Sequence, residues 1–281
     1  MQKLLLIDGS NLLFQMFFGM PARINNSDGK PIHGTLGFVG ALLKIVRMVA
    51  PSHVAVLFDG ECANERNTLV AEYKANRPDY SQVAECDDPY SQLDDVYAAL
   101  DCLNIKHAET TCCETDDWIA AYALRYGKEM QVVVLSFDSD FFQLISDNVS
   151  VLRYRGKNSV FCTPCYVFDR FGVEPQRYAD FKAMVGDVSD NIKGAPKIGV
   201  KTAASLLNQF GSLDNVIANV EQIAKPSIRQ SVLDNAARLR VNYQIIKLTD
   251  GAALPFDLDE LKYTLQEDVT THGVLKSIGL I

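Results

Sequence analysis

Three short apolar runs in this chain each end at an aspartate, and this repeated pattern limits the folds that the chain can adopt. The runs are LLLID, ending at Asp8, HVAVLFD, ending at Asp59, and QVVVLSFD, ending at Asp138. Apolar and β-branched runs of this length, bounded by turn residues, predict buried strands. Helical patterns lie between them, at residues 36–49, 92–103 and 118–125. This alternation predicts an α/β fold with a mainly parallel central sheet and helices on both faces, in which sites form at the carboxyl ends of the strands.

The rest of the chain indicates two further units beside this sheet. With 281 residues and 48% hydrophobic content, the chain can bury one large core and still carry a smaller appended module. Residues 60–89 are polar and rich in turn formers, without a sustained apolar period, which indicates an excursion from the core. Gly194 and Gly199, followed by a helical pattern at 201–210, predict a hairpin between two helices.

Carboxylates occur at five places where a strand is predicted to end or a helix to begin. They are Asp8, then Asp59, then Glu114 with Asp116 and Asp117, then Asp138 with Asp140, and finally Asp187 with Asp190. Each alone is explained equally well as a helix N-cap or as an acid in a first helical turn. Strands of one parallel sheet place their final residues along a single edge, where repulsion between carboxylates is relieved by bound cations. An all-oxygen ligand set of this size favours two Mg²⁺ or Mn²⁺ ions over zinc.

The net charge of −8, from 27 basic and 35 acidic residues, argues at first against a phosphate-rich partner. If the nine clustered acids are set aside, however, 26 acids remain against 27 bases, because 35 minus 9 is 26. The surface outside the cluster is then close to neutral. A locally basic track for DNA is therefore compatible with the composition.

The seven cysteines include the adjacent pair Cys112 and Cys113, and an odd number with such a pair favours reduced thiols over a disulfide framework. Cys162 and Cys165 form a C-x-x-C without a second ligand pair, so a structural role is favoured over zinc. The N-terminus lacks the pattern of a signal peptide, and no run approaches the roughly 20 apolar residues of a membrane helix. We expect no membrane association and a cytoplasmic location.

The acidic blocks arrive in an order and context that resemble the bacterial 5′–3′ exonuclease and flap endonuclease family, which includes the 5′ nuclease domain of DNA polymerase I. The matching segments are LLLIDGSN, VLFDG, EYKANRP, ETDDWIA, SFDSDFFQLIS and MVGDVSDNIKGAPKIGVKTAASLL, and the resemblance runs from Met1 to about Leu261. It implies a PIN-like nuclease domain at residues 1–180 with a helical arch at 60–97. A helix-hairpin-helix (H3TH) region follows at 181–281. No polymerase segment follows, so a free-standing form is expected.

The resemblance also implies roles for the nine acids. Asp8, Asp59, Glu114 and Asp116 are expected to hold the first metal ion, with Asp116 in the bridging position. A second ion is expected on Asp138, Asp140 and Asp187, and Asp138 is also counted as catalytic. Asp117 and Asp190 match carboxylates that act directly or through bound water. The implied cofactor is two Mg²⁺ ions, for which Mn²⁺ can substitute.

DNA contacts are implied at two places. In the hairpin they fall on Gly194, Lys197, Gly199, Lys201 and Thr202, where a K⁺ ion held by backbone carbonyls is a further expectation. In the arch they fall on Arg66, Lys74 and Arg77, of which Lys74 and Arg77 stabilise the transition state. We expect the arch to be disordered without DNA. Some positions differ from the family pattern, namely Gln15 for an arginine, Ser139 for a lysine, Thr115 for an alanine, and several acids in the arch.

These features together predict a monomeric, structure-specific 5′ nuclease that acts on DNA flaps and 5′ ends in replication and repair. Two alternatives stay open. One is a branched-DNA-binding protein with weak or no nuclease activity, and the other is a PIN-type ribonuclease. A nucleotide-binding α/β protein is disfavoured, because there is no P-loop motif and no G-x-G-x-x-G after the first strand.

Overall fold

The computed structural model describes residues 2–60, 70, 72–76, 80, 83–266 and 268–281, except for the side chain of Glu85. The strands are β1 Lys3–Asp8, β2 His53–Phe58, β3 Lys106–Glu109, β4 Gln131–Leu135, β5 Val149–Arg153, β6 Val160–Cys162, β7 Gly186–Asp187 and β8 Ile192–Lys193. The α-helices are α1 Gly9–Gly19, α2 His33–Val49, α3 Leu93–Cys102, α4 Thr115–Tyr126, α5 Pro164–Phe171, α6 Tyr178–Val185, α7 Val200–Phe210, α8 Leu213–Ala218, α9 Pro226–Ile246 and α10 Thr271–Ser277. Short 3₁₀ turns occur at Glu85–Asp87, Pro89–Gln92, Asp140–Leu144, Gly156–Asn158, Pro175–Arg177, Val220–Gln222 and Leu258–Leu261.

Six strands form the central sheet in the order β3-β2-β1-β4-β5-β6. The first five run parallel, and β6 is antiparallel to β5. This confirms the predicted mainly parallel sheet. The third predicted strand ends at Leu135 rather than at Phe137, because the chain turns there and the Phe137 N–H donates to the Asn11 side chain at 3.0 Å.

Helices cover both faces of the sheet, as expected. Successive residues of β1 point to opposite sides, so Leu4 and Leu6 join the core beside α4, while Leu5 and Ile7 join the core beside α1, α2 and α3. All four of these side chains are fully buried. A strand covered on both faces has no polar side, and for this reason the strands appear in the sequence as unbroken apolar runs.

A second, helical lobe follows the sheet and consists of α6 to α9 with the small β7-β8 hairpin. Gly186 has φ of +89°, and a Cβ there would meet the backbone N of Gly194 at 2.4 Å. The two backbones therefore cross at a distance that only glycine allows. The last helix, α10, returns to the first lobe, where Val274 and Leu275 are buried in the core with α2 and α3. None of the helices within the described ranges is long and apolar enough to cross a bilayer.

Candidate active site

Asp8 ends β1, and Asp59 directly follows β2, the parallel strand paired with it, so both acids lie at the same edge of the sheet and line one cavity. Asp8 is the N-cap of α1 and accepts hydrogen bonds from the Asn11 N–H at 3.0 Å and from the Ser136 hydroxyl at 2.8 Å. Asp59 accepts a bond from the Thr115 N–H at 3.1 Å, which ties it to the start of α4. Strand ends and helix starts thus hold both carboxylates at one edge, as predicted.

The start of α4 adds three more acids to this edge. Glu114 is the N-cap residue, and its own N–H donates to the Asp117 carboxylate at 3.1 Å in a reciprocal capping box. Asp116, the residue directly before Asp117, lines the same cavity as Asp8 and Asp59. Burial and the charges of Asp138, Asp8 and Asp59 raise its pKa well above the usual value, although Lys74 lowers it in part. Glu114 and Asp117 therefore cap the helix, and the metal roles predicted for Glu114, Asp116 and Asp117 stay predictions.

Asp138 lies in the loop after β4. In the sequence it comes after Asp8, Asp59 and the acids of α4, and before Asp140, Asp187 and Asp190. Its N–H donates to the Ser136 hydroxyl at 3.0 Å, and its carboxylate accepts from the Asp140 N–H at 2.8 Å. Arg153 of β5 supports this loop by donating to the Phe137 carbonyl at 2.9 Å. The charge of Asp138 raises the pKa values of Asp8, Asp116 and Asp140.

Asp140, Asp187 and Asp190 form a second acidic group, in which one carboxylate oxygen from each residue lies within 4.8 Å of the others. Asp140 and Asp190 are buried. Three oxygen donors this close, two of them on buried residues, fit a hard divalent cation. The sequence prediction assigned Asp140 and Asp187 to the second ion together with Asp138, and gave Asp190 a direct or water-mediated role; the structure brings Asp140, Asp187 and Asp190 together, and their metal role stays a prediction.

Lys182 was not predicted from the sequence, yet it is a buried residue of this second group. Its ammonium forms ion pairs with both Asp140 and Asp187, and its side chain is only 6% exposed. Burial lowers its pKa, but the attraction of Asp140, Asp138 and Asp187 is larger and raises the pKa overall. Lys182 in turn outweighs the effect of burial on Asp187 and lowers the pKa of that carboxyl. One lysine thus neutralises part of the charge that the acids accumulate.

Burial of the acids and the repulsion between them together predict an unusual pH dependence of stability. Burial and the charge of Asp59 raise the pKa of Asp8 to about 7, and burial and Asp138 raise that of Asp140 to about 7. A carboxyl whose folded pKa is raised stabilises the fold at low pH and loses that contribution as the pH rises through the folded value.

We therefore expect the free energy of unfolding in EDTA to fall between pH 5 and pH 8, by about 2 to 3 kcal/mol for each such carboxyl. Urea unfolding at several pH values measures this. Saturating Mg²⁺ should suppress most of the decrease, because the cation stabilises the ionised carboxylates. A free energy of unfolding that rises over the same interval in EDTA would contradict the arrangement of charges described above.

A large open cavity of about 1120 Å³ adjoins the acids, and one of its walls is aromatic. Phe14 of α1 packs edge-on against Tyr80 and Tyr90, with ring centroids 5.5 and 5.3 Å away. Asp8, Asp59, Asp116 and Asp138 line the same cavity. The sequence reasoning missed these rings, because isolated aromatic residues in a helix and a loop give no signal of their proximity. Gln15, which stands where the family pattern has an arginine, follows Phe14, and its side chain donates to the Tyr154 carbonyl at 2.6 Å.

Of the three predicted arch residues, only Lys74 lies within the described part of the chain. Its ammonium donates to the Glu114 carboxylate at 2.6 Å, and it lines the cavity. Arg66 and Arg77 fall outside the described residues, as do residues 61–69, 71, 77–79, 81 and 82 of the segment expected to be disordered without DNA. Residues 72–76 differ from that expectation, since they form turns that hydrogen-bond to the loop at residues 187–191.

The predicted hairpin residues lie together between β8 and the first turn of α7. Lys197 and Lys201 are exposed, and Gly199 is the N-cap of α7 with open space at its Cβ position. The first-turn N–H groups of a helix, here including Thr202, lack intrahelical acceptors and can bind a phosphate. Gly194 differs from Gly199, because a Cβ there would meet the Val185 carbonyl oxygen at 2.2 Å. The fold itself therefore requires glycine at position 194.

Three side chains along α9 hold the backbone of this hairpin. Arg238 donates to the Gly194 carbonyl at 2.8 Å, Asn242 donates to the Lys193 carbonyl at 3.0 Å, and the Ser231 hydroxyl donates to the Pro196 carbonyl. Positions 231, 238 and 242 share one face of the helix. They were not predicted, because their function depends on a carbonyl geometry that the sequence does not display.

A parallel sheet with a carboxylate cluster at its carboxyl edge, joined to a helical hairpin module, defines a PIN-like, resolvase-type α/β protein with a C-terminal SAM-like fold. Family models agree with this class. The 5′-3′ exonuclease N-terminal resolvase-like domain matches residues 3–172, and the 5′-3′ exonuclease C-terminal SAM fold matches residues 173–268. The chain belongs to the 5′-3′ exonuclease family, and the family predicted from the sequence motifs is confirmed.

Individual relatives support this assignment. The chain is 31% identical over 293 residues to a 5′-3′ exonuclease of Aquifex aeolicus, covering 100% of this chain and 96% of that protein. It is 32% identical over 283 residues to DNA polymerase I of Rhizobium leguminosarum, where the match covers 98% of this chain but only 27% of the relative. The chain thus spans about a quarter of the length of that polymerase.

Solved structures show the same fold. The bacteriophage T5 D15 flap endonuclease, crystallised as a pseudo-enzyme-product complex with DNA and metal ions, has a TM-score of 0.73 at 22% identity. The match covers 99% of this chain and 100% of the T5 protein. The catalytic core of Rad2 in complex with a DNA substrate has a TM-score of 0.62 at 16% identity. The predicted fold class is therefore confirmed.

Proposed function

We propose that the chain is a structure-specific 5′ nuclease that hydrolyses DNA phosphodiesters at 5′ flaps and 5′ ends with two Mg²⁺ ions. The observation that carries this proposal is the joining of two acidic groups through Asp138, beside a cavity large enough for a nucleotide strand. Relatives named 5′-3′ exonuclease, and the T5 flap endonuclease whose fold the chain shares, support it. A monomer acting on DNA in the cytoplasm is part of the same proposal.

The acids divide into two candidate ion sites. One oxygen each from Asp140, Asp187 and Asp190 lies within 4.8 Å of the others, which fits one hard cation. Following the resemblance, Asp138, Asp140 and Asp187 would hold this ion, with Asp190 beside it, and Asp8, Asp59, Glu114 and Asp116 would hold the other; Asp8, Asp59 and Asp116 line one cavity. Two such ions, when bound, supply activation of a water molecule and charge stabilisation at the leaving oxygen. The protein's own share is to hold these oxygens at one edge of a rigid sheet. Lys74, directed at Glu114 from the cavity wall, adds a positive charge where a phosphate would approach.

Substrate binding is proposed to use two surfaces. The exposed Lys197 and Lys201, with the first turn of α7, would contact the backbone of the duplex without reading its sequence. The aromatic wall formed by Phe14 and Tyr90 would stack on bases of an unpaired strand, and stacking tolerates any base. A branched DNA contains both a duplex and an unpaired strand, so the two surfaces together would bind such a substrate.

A K⁺ ion at the hairpin remains part of the proposal. The carbonyls of Lys193, Gly194 and Pro196 already accept hydrogen bonds from α9. A carbonyl oxygen has a second lone pair, so K⁺ could share these oxygens or use others nearby. Arg66 and Arg77 keep their proposed role in the arch on the basis of the resemblance alone.

The test is cleavage of end-labelled 5′-flap, nicked and blunt duplexes, with single-stranded RNA as a fourth substrate. We expect cleavage of the flap near its junction, a 5′-phosphate on the product, and complete loss of activity in EDTA. Mononucleotide products from nicked and blunt DNA alone would favour exonuclease action. Preference for RNA would favour a PIN-type ribonuclease, and flap binding without cleavage in Mg²⁺ or Mn²⁺ would favour a non-catalytic DNA-binding protein.

A further inference from the structure

The segment at residues 72–76, which lies within the predicted arch, is fastened to the loop that carries two of the acids, Asp187 and Asp190. Three hydrogen bonds, which we call the clasp, join them. The Lys74 N–H donates to the Asp190 carbonyl at 3.1 Å, the Asn76 side chain donates to the Val188 carbonyl at 2.9 Å, and the Asn191 side chain donates to the Glu72 carbonyl at 2.8 Å. Each segment thus donates to the backbone of the other, which fixes their relative position.

Both sides of the clasp have an unusual backbone. Lys74 has φ of +55° and Asn191 has φ of +58°, in the left-handed region. Asparagine visits this region readily, but lysine does so at a cost, because its Cβ approaches the following carbonyl. Such a conformation persists when the surrounding contacts determine it. At Lys74, the contacts that do so include the clasp.

The conformation at residue 74 decides where the lysine ammonium lies. The Lys74 ammonium lies over the ring of Tyr73, 4.9 Å from its centroid, and donates to the Glu114 carboxylate at 2.6 Å. Tyr73 is buried, so this side of the lysine has a firm support. The loop on the other side of the clasp contains Asp187 and Asp190 of the second acidic group. Lys74 is thereby linked to both acidic groups, by its side chain to one and by its backbone to the other.

We propose that Asn76 and Asn191 are positioning residues for Lys74 and that, through them, the loop at residues 187–191 sets the place of the Lys74 ammonium. The inference rests on the proposed nuclease function and on the proposed role of Lys74 in it. Neither asparagine points its amide at the cavity, since each is bonded to a backbone carbonyl outside it. Their effect on cleavage therefore operates through Lys74.

The first test does not depend on cleavage. Amide hydrogen exchange of the free protein in EDTA should show protection at the Lys74 N–H, which donates to the Asp190 carbonyl. Asn76→Ala and Asn191→Gly should each reduce that protection. Glycine is chosen at 191 because it keeps the left-handed backbone accessible while it removes the side chain. An unprotected Lys74 amide in the unmodified protein would overturn the clasp, whatever the protein cleaves.

The second test is the single-turnover cleavage rate on a 5′-flap substrate. Asn76→Ala and Asn191→Gly should each lower this rate by about 10- to 100-fold, the range expected when a charge-stabilising group is misplaced, with DNA affinity unchanged. The decisive measurement is the same pair of substitutions in a Lys74→Ala background, where no further decrease is expected. Equal decreases in both backgrounds would show that the asparagines act independently of Lys74 and would overturn the proposal.

A matched control is available in the helical lobe. Asn208 also donates its side-chain amide to a backbone carbonyl, that of Gly172, at 2.8 Å. Asn208→Ala should leave the cleavage rate and the Lys74 amide unchanged. If Lys74→Ala itself cleaves like the unmodified protein, the proposed role of Lys74 fails and with it the effect on cleavage, while the exchange data still report on the clasp.

Discussion

Asp138→Asn is expected to lower the rate of flap cleavage by at least about 10²-fold and to leave DNA affinity nearly unchanged. The reason is the position of Asp138 in the cluster, where its charge contributes to the raised pKa values of Asp8, Asp116 and Asp140. Asparagine has nearly the same shape but lacks the charge that a cation requires. The surfaces proposed to hold DNA, the hairpin and the aromatic wall, do not involve this side chain.

The same substitution should also stabilise the metal-free protein, because it removes one charge from a repulsive cluster. Single-turnover cleavage at saturating Mg²⁺, DNA binding in EDTA, and thermal unfolding with and without Mg²⁺ measure the three effects. Asp147→Asn is the matched control, since Asp147 is exposed in the loop before β5 and should behave as the unmodified protein in all three. Unimpaired turnover of Asp138→Asn in saturating Mg²⁺ would refute the two-metal assignment.

The position of the carboxylates could be predicted because the order of strands and acids in the sequence determines which residues lie at the carboxyl edge of a parallel sheet. Asp8 and Asp59 each end an apolar run, and parallel strands bring such ends together at one edge. The residues that balance or support the acids could not be found in this way. Lys182 lies mid-helix in α6 with no local feature to separate it from a surface lysine, and only the packing of α6 reveals its burial between Asp140 and Asp187.

Two of the strands that were missed share a physical cause. Strand β3, with sequence KHAE, is a partly exposed edge strand, and β6 has only three residues, so neither has an apolar run long enough to be recognised. The return of α10 to the first lobe was also missed. Its buried residues, Val274 and Leu275, contribute too short an apolar stripe to indicate which core they join.

Lys182→Met should destabilise the protein in EDTA at pH 8 by about 3 to 5 kcal/mol, the usual cost of removing one partner from a buried ion pair. The substitution leaves Asp140 and Asp187 facing each other, with Asp190 close by and no ammonium between them. The cost should shrink as the pH is lowered. Asp140, whose pKa is already about 7, then becomes protonated and no longer requires a cation.

Divalent cations should restore much of the lost stability, because an ion held by the same three carboxylates supplies the missing positive charge. Urea unfolding of Lys182→Met in EDTA and in Mg²⁺ should therefore show a larger gain from Mg²⁺ than the unmodified protein shows. Lys262→Met is the control, since Lys262 pairs with Asp259 on the exposed surface, where an ion pair contributes little. A loss below about 1 kcal/mol for Lys182→Met, or an equal Mg²⁺ response in both proteins, would mean that Lys182 does not act as the resident counter-charge of the second acidic group.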